Sequence, residues 1–267
     1  MLKDLVLKDA TVFQKKNGFI CDMDGVIYHG NKLLPGVYEF VQWLKKENKK
    51  FLFLTNSSER SPKELSLKLA RMGLDIDESH FYTSALATAA FISSQSPSST
   101  AYVIGEAGLI NALYNEGIYM NDVNPDYVVV GETRSYSYDK IERAVRFVFN
   151  GAKLIGTNSD LTGPSEAGIV PACRALTAPI EMTTGKEAYF IGKPNPLIMR
   201  HAIRQLGCHR EEALIIGDRM DTDIVAGIQT EVDTALVLSG VTNDSNFDNF
   251  SYRPHFILNG VGDIAQA

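Results

Sequence analysis

The sequence predicts an α/β protein: an open parallel sheet flanked by helices, with a second, smaller α/β domain inserted into the first. Three observations predict it. Runs such as Phe19-Ile20-Cys21, Phe51-Leu52-Phe53-Leu54 and Ala213-Leu214-Ile215-Ile216 are short, continuous and apolar, as buried strands are. Segments with apolar residues at helical spacing alternate with these runs, and strands joined through a helix must be parallel, with a right-handed crossover. The runs end in polar residues with chemical potential, and parallel strands bring such ends to one rim of the sheet, the usual ligand crevice of open α/β folds.

The elements follow in order. After the first strand and Asp22-Met23-Asp24-Gly25, Pro35 opens a helix with Val37, Phe40, Val41 and Leu44 on one face. It closes in Lys45 to Lys50, whose cations complement the helix dipole, and Trp43 falls beside the apolar stripe. The second strand ends at Thr55-Asn56-Ser57-Ser58. Ser61-Pro62-Lys63-Glu64 has the pattern of a capping box with proline at the first helical position, and Gly73 ends that helix. A helix over 84–95 leads to a βαβαβ series: strands at 101–105, 127–131 and 153–157, helices at 109–116 and 138–150. This series reads as the inserted domain. The first pattern then resumes, with Tyr189 to Gly192 as strand, a helix from Asn195-Pro196 stopped by Gly207, a strand at 213–217, a helix from about Thr222, and strands at 234–238 and 255–258.

A chain of 267 residues is long enough for one large or two moderate domains, and its 45% hydrophobic and 22% charged content is that of a globular protein. A net charge of −6 argues against binding nucleic acid polymers. It leaves room for a small anion, because a metal ion or one placed lysine reverses the local field. Cys21, Cys173 and Cys208 lack CxxC spacing and read as free thiols of a reducing cytosol. The N-terminal segment mixes charge with apolar residues and has no continuous apolar stretch, so no signal peptide is expected there. No run approaches the roughly 20 apolar residues of a membrane span. The expectation is a cytoplasmic protein without a membrane partner.

Beside Asp22 and Asp24, three further strand ends carry Thr55, Lys193 and Asp218. Each has an ordinary structural reading: acids and glycine make turns, a lone threonine starts helices, a lone lysine is solvated. Together they form a constellation. Carboxylates of Asp22 and Asp218 are hard oxygen donors that suit Mg²⁺, which keeps its other positions for water and a phosphate oxygen. Lys193 neutralises phosphoryl oxygens and Thr55 hydrogen-bonds one of them. A carboxylate so placed attacks phosphorus to form an aspartyl-phosphate, and Asp24, two residues on, protonates the leaving oxygen and later activates water.

This set resembles the haloacid dehalogenase superfamily, in the branch of NagD-like and p-nitrophenyl phosphatase-like phosphatases, and the resemblance runs over nearly the whole chain. Asp22-Met23-Asp24-Gly25-Val26 is similar to the first family motif, Leu54-Thr55-Asn56-Ser57 to the second, Gly192-Lys193-Pro194 to the third, and Gly217-Asp218 through Asp223-Ile224 to the fourth. The resemblance implies a Rossmann-like doubly wound parallel sheet over 1–80 and 186–267, with an α/β cap over 81–185 between the second and third motifs. It implies that Asp22 is the nucleophile and Asp24 the acid/base, which also ligates Mg²⁺ through its backbone carbonyl. Asp218 is then the third protein ligand and Asp223 an outer partner of the ligands. Thr55, Asn56, Ser57, Lys193 and Asp24 would contact the substrate phosphate. Asn158 and Asp160, in a segment similar to one that faces the site in family caps, are specificity candidates, with an Asx-type loop as their ordinary reading. The implied partner is a small phosphorylated metabolite, a sugar phosphate or nucleoside monophosphate. A homodimer through the cap is also implied, since family caps often supply that contact. Relatives often carry an aromatic or Asn where this chain has Ser57-Ser58-Glu59, and none of the five histidines has metal-ligand spacing.

Two other readings are weighed against a phosphatase. A dehalogenase shares the aspartate nucleophile but needs neither Mg²⁺ nor a second aspartate two residues on, so Asp24 and Asp218 count against it. A signalling receiver or phosphate-binding module also combines acids, Thr and Lys, but places its acceptor aspartate on a later strand in a chain about half this length.

Overall fold

The computed structural model describes residues 2–7, 9–165 and 168–265. The chain forms two compact units. The first comprises Met1–Thr55, Ser66–Tyr82 and Met199–Ala267; the second comprises Asn56–Leu65 and Thr83–Ile198.

The first unit is organised by a six-stranded sheet in the order Phe256–Leu258, Asp233–Val237, Ala213–Gly217, Gly18–Cys21, Lys50–Thr55 and Phe81–Thr83. The first five run parallel. Phe19, Ile20 and Cys21 have no exposed surface, and Leu214, Ile215 and Ile216 almost none. Burial on both faces is what continuous apolar runs demand of a parallel sheet. Helix Val37–Lys46 lays Val37, Phe40, Val41 and Leu44 inward, and Trp43 meets Phe19 edge-on at 5.5 Å. Cys21 binds no partner sulfur, and burial raises its thiol pKa, so the thiol stays protonated.

The second unit holds a five-stranded parallel sheet in the order Tyr189–Phe190, Lys153–Gly156, Tyr127–Val130, Thr100–Ile104 and Tyr119–Met120. Helices Tyr138–Phe149 and Cys173–Thr184 contribute Ala144, Phe147, Leu176 and Ile180 to the same core as Tyr102, Val128 and Leu154. Burial holds the Cys173 thiol up at about 12.

One sequence expectation needs correction. Tyr189 to Gly192 is expected in the first sheet; instead Tyr189–Phe190 pairs with Ile155 and Gly156 at the edge of the second. The ladder continues as Ile191 N–H donates to Gly156 O at 3.1 Å and Gly192 N–H to Thr157 O at 2.8 Å. An apolar run states that a strand is buried, not which sheet receives it. Compactness also carries the second unit on to Ile198 and gives it Asn56–Leu65, beside the borders at 80 and 185 that the motifs imply. The helix expected from Thr222 starts as a π-turn, Met220–Ile224, before Val225–Gln229 continues as α-helix. Single π-turns are rare and frequent at functional sites.

The capping box forms as expected. Ser61 N–H donates to Glu64 Oε2 at 2.8 Å while Glu64 N–H donates to Ser61 Oγ at 3.3 Å. The backbone and hydroxyl bonds from Ser61 lower the Glu64 carboxyl below its ordinary 4.5. Its stabilisation is therefore present above pH 4.5 and lost as pH falls through the lowered folded value. Ser61→Ala is expected to cost about 0.5–2 kcal/mol at neutral pH. In urea unfolding followed against pH, the gap from wild type should shrink below 4.5.

Candidate active site

Asp22 and Asp218 meet because their strands are neighbours. Cys21 pairs with Ile216 in parallel register, Asp22 N–H donates to Ile216 O at 2.8 Å, and both chains turn at the same sheet end. The π-turn then curls Asp223 back beneath the strand end, where its Oδ2 accepts the Arg219 N–H at 3.2 Å. One carboxylate oxygen from each of Asp22, Asp218 and Asp223 lies within 4.8 Å of the others. Asp218 and Asp223 are 2% and 1% exposed. Three hard oxygen donors so close, two of them buried, repel each other and fit a divalent cation. Asp223, expected outside the ligand set, thus brings an oxygen into the same cluster.

The cradle of Asp218 is built from backbone. Val241 N–H donates to its Oδ2 at 2.7 Å, and Ser239 Oγ donates to Gly25 O at 2.7 Å. Gly25 has φ +82°, and a Cβ there would come 2.5 Å from Asp218 Oδ2; one on Gly240 would meet the same oxygen. Gly25→Ala thus combines left-handed strain of about 1–2 kcal/mol with displacement of an acid in the cluster. The variant is expected to need more divalent metal for half-maximal activity and to melt earlier; a metal titration of activity checks the first and calorimetry the second.

The Asp24 side chain is not one of the three in this cluster. Burial raises its pKa, partly offset by His29 and Lys68. His29 Nδ1 is 3.7 Å from Asp24 Oδ1, delivered by the hairpin Tyr28–His29 and Lys32–Leu33, and Lys68 Nζ sits 3.6 Å above the Tyr28 ring. Burial thus favours the protonated carboxyl more than in a free aspartate, the direction that a proton donor needs. Sequence reasoning assigns His29 and Lys68 nothing, since only the hairpin and a helix from elsewhere in the chain bring them here. Thr55, 8% exposed, ends the strand on the other side of Gly18–Cys21.

The remaining residues named from sequence belong to the second unit. The Asn56 side chain clamps the Lys193 main chain: Lys193 N–H donates to Asn56 Oδ1 at 2.7 Å, and Asn56 Nδ2 donates to Lys193 O at 2.9 Å. Asn56 Nδ2 also donates to Asp160 Oδ2 at 2.9 Å. Lys193, buried to 2% exposure, precedes a cis peptide bond to Pro194. Ser57 is half-buried. Asn158 is fully buried, its amide nitrogen donating to Asn56 O at 2.8 Å and to Glu132 Oε1. Asp160 N–H donates to Asn158 Oδ1 at 3.1 Å, the Asx-type turn expected of this segment. Glu132, which the sequence does not single out, stands at the centre of these bonds.

A parallel sheet that releases an acid cluster from adjacent strand ends places that cluster where open α/β folds bind their ligands. Residues 19–119 match the family model of haloacid dehalogenase-like hydrolases, and residues 190–264 match a second, HAD-hydrolase-like model. The chain is 44% identical to the dihydroxyacetone phosphatase of Corynebacterium glutamicum, over 92% of this chain and 90% of that one. It is 44% identical to the ribonucleotide monophosphatase NagD of Escherichia coli, over 92% and 96%. The solved 4-nitrophenylphosphatase of Thermotoga maritima superposes with a TM-score of 0.92 at 32% identity, covering 96% of this chain and 98% of that one. The chain belongs to the haloacid dehalogenase-like hydrolases, in their NagD-like branch.

No helix among the described residues is long and apolar enough to cross a membrane.

Proposed function

We propose that this phosphoric monoester hydrolase cleaves a sugar phosphate or nucleoside monophosphate through an aspartyl-phosphate on Asp22, with Mg²⁺ as its metal. The observation that carries the reading is the cluster of Asp22, Asp218 and Asp223 within 4.8 Å, at the end of the strand that also releases Asp24. Asp22, Asp218 and the Asp24 backbone carbonyl would hold the ion, with Asp223 supporting them. When bound, Mg²⁺ lowers the repulsion between these acids and an incoming phosphate.

Asp22 attacks phosphorus, and the bond to the leaving oxygen breaks as Asp24 gives that oxygen its proton. Asp24, now ionised, takes a proton from the water that attacks phosphorus in turn and frees the Asp22 carboxylate. Thr55, Ser57 and Lys193 bind phosphate oxygens, Lys193 as the cation, whereas the Asn56 side chain, also expected to contact phosphate, is committed to the Lys193 main chain. Segment 81–185 acts as the cap that selects the leaving group, and a homodimer forms through it. Asp160 stands as its specificity candidate, whereas Asn158 is committed to protein partners. Three free cysteines fit a cytoplasmic setting.

The test is a screen of phosphate monoesters with Mg²⁺ present, including ribonucleoside monophosphates, triose and hexose phosphates and p-nitrophenyl phosphate. Phosphate release is expected from one metabolite class above the others. Release from none, or halide release from a 2-haloacid that survives chelation, would overturn the proposal.

A further inference from the structure

Beneath the loop that follows Thr55 lies a carboxylate that the proposed chemistry does not use. Glu132 sits two residues past strand Tyr127–Val130, and its side chain turns back into the second unit. Oε2 accepts the Ser58 N–H at 3.1 Å and also the Ser58 hydroxyl, while Oε1 accepts the Asn158 amide. Ser58 Oγ in turn accepts from Thr157 Oγ1 and from Glu132 N–H, each at 3.3 Å. Ser58 and Asn158 are fully buried.

Every group turned to this carboxylate is a donor, so only its ionised form satisfies them all. Burial raises its pKa, and the bonds from Ser58 and Asn158 oppose that rise. A buried carboxylate is retained against its desolvation only where its donors are fully used.

The residues it holds lead to Lys193. Asn158 Nδ2, fixed by Glu132, donates to Asn56 O at 2.8 Å, and Ser84 Oγ donates to the same oxygen. Ser58 fixes the loop two residues further on. With its backbone pinned from both sides, Asn56 presents the amide that clamps Lys193 N–H and C=O at 2.7 and 2.9 Å. Gly192 lets that amide approach, since a Cβ there would come 2.7 Å from Asn56 Oδ1.

We infer that Glu132 is a positioning residue for phosphate binding: through Ser58, Asn158 and Asn56 it fixes the main chain that carries Lys193. The inference rests on the phosphatase reading for the role of Lys193, and on hydrogen bonds within one unit for the rest. Glu132→Gln is the informative change, because it keeps size and turns one acceptor into a donor facing Ser58 or Asn158.

With p-nitrophenyl phosphate and saturating Mg²⁺, Glu132→Gln is expected to lower kcat/KM by about 10-fold or more, with Glu132→Asp losing less. In a Lys193→Ala background the same change should add less than about 2-fold, because coupled residues are not additive. All proteins are compared at a temperature where calorimetry shows them folded. Hydrogen exchange supplies a readout independent of turnover: the peptide around Gly192-Lys193 should exchange about 10-fold faster in Glu132→Gln, by loss of the Asn56 clamp. Equal kcat/KM losses in both backgrounds, no loss in Glu132→Gln, or unchanged exchange at Lys193 would each overturn the inference. A wild type that hydrolyses no monoester would count against the phosphatase reading alone, and exchange at Lys193 then decides the clamp.

Discussion

Asp22→Asn is expected to slow phosphate release from any monoester by about 10⁴-fold or more, the scale on which removal of a covalent nucleophile is felt. The amide is isosteric, and the backbone N–H of this position would keep its 2.8 Å bond to Ile216 O, so the backbone has no reason to move. The variant also removes one of three mutually repelling carboxylates, so its melting temperature in metal-free buffer should equal or exceed that of wild type. Phosphate release and calorimetry on one preparation separate lost chemistry from lost fold. A variant that is folded and active would show that Asp22 is not the nucleophile.

Removal of divalent metal is expected to abolish activity, with Mg²⁺ restoring it, and Asp218→Asn should reproduce much of that loss. Asp218 is almost wholly buried, and Val241 N–H already occupies Oδ2 at 2.7 Å, so an asparagine must either keep that bond or offer its oxygen to the ion. Changes to outer partners of metal ligands alone cost about 10–100-fold in affinity, and a ligand should cost at least as much. The checks are a Mg²⁺ titration of activity and calorimetric binding to metal-free protein. Metal should also raise the melting temperature of wild type more than that of Asp218→Asn, because ligands that bind only the folded state stabilise it. Phosphate release unaffected by chelation would contradict the role given to the metal.

Much of this architecture is legible in the sequence because two periodicities are strong: continuous apolar runs for buried strands, and 3.6-residue spacing for the helix of Val37, Phe40, Val41 and Leu44. Asp218 lies nearly 200 residues from Asp22, yet parallel pairing of their strands alone puts both at one sheet end. Less is legible where composition speaks for two outcomes. Tyr189–Phe190 is apolar enough for either sheet, and backbone bonds to Gly156 and Thr157 decide it. Helix Cys173–Thr184 escapes the sequence reading because Pro179 lies inside it, and proline in a helical pattern reads as a stop. The antiparallel pairing of Thr162–Ser165 with Gly168–Pro171 escapes it as well.

The site divides in the same way. Acids at strand ends announce themselves, since turns and ligands both use them and their number favours ligands. Glu132 announces nothing: one acid after a strand is usually solvated, and its role rests on Ser58 and Asn158, which are 74 and 26 residues away. The approach of His29 to Asp24 likewise depends on a short hairpin, for which two-residue strands leave almost no pattern.

The central claim is a covalent phosphoenzyme at Asp22, and rapid acid quench followed by borohydride reduction and peptide mass spectrometry tests it most directly. During turnover of p-nitrophenyl phosphate with Mg²⁺, reduction should convert Asp22 to homoserine in wild type and leave the corresponding peptide of the Asp22→Asn variant unchanged. Steady turnover with no trapped residue at any quench time, or homoserine at Asp24 in place of Asp22, would contradict it.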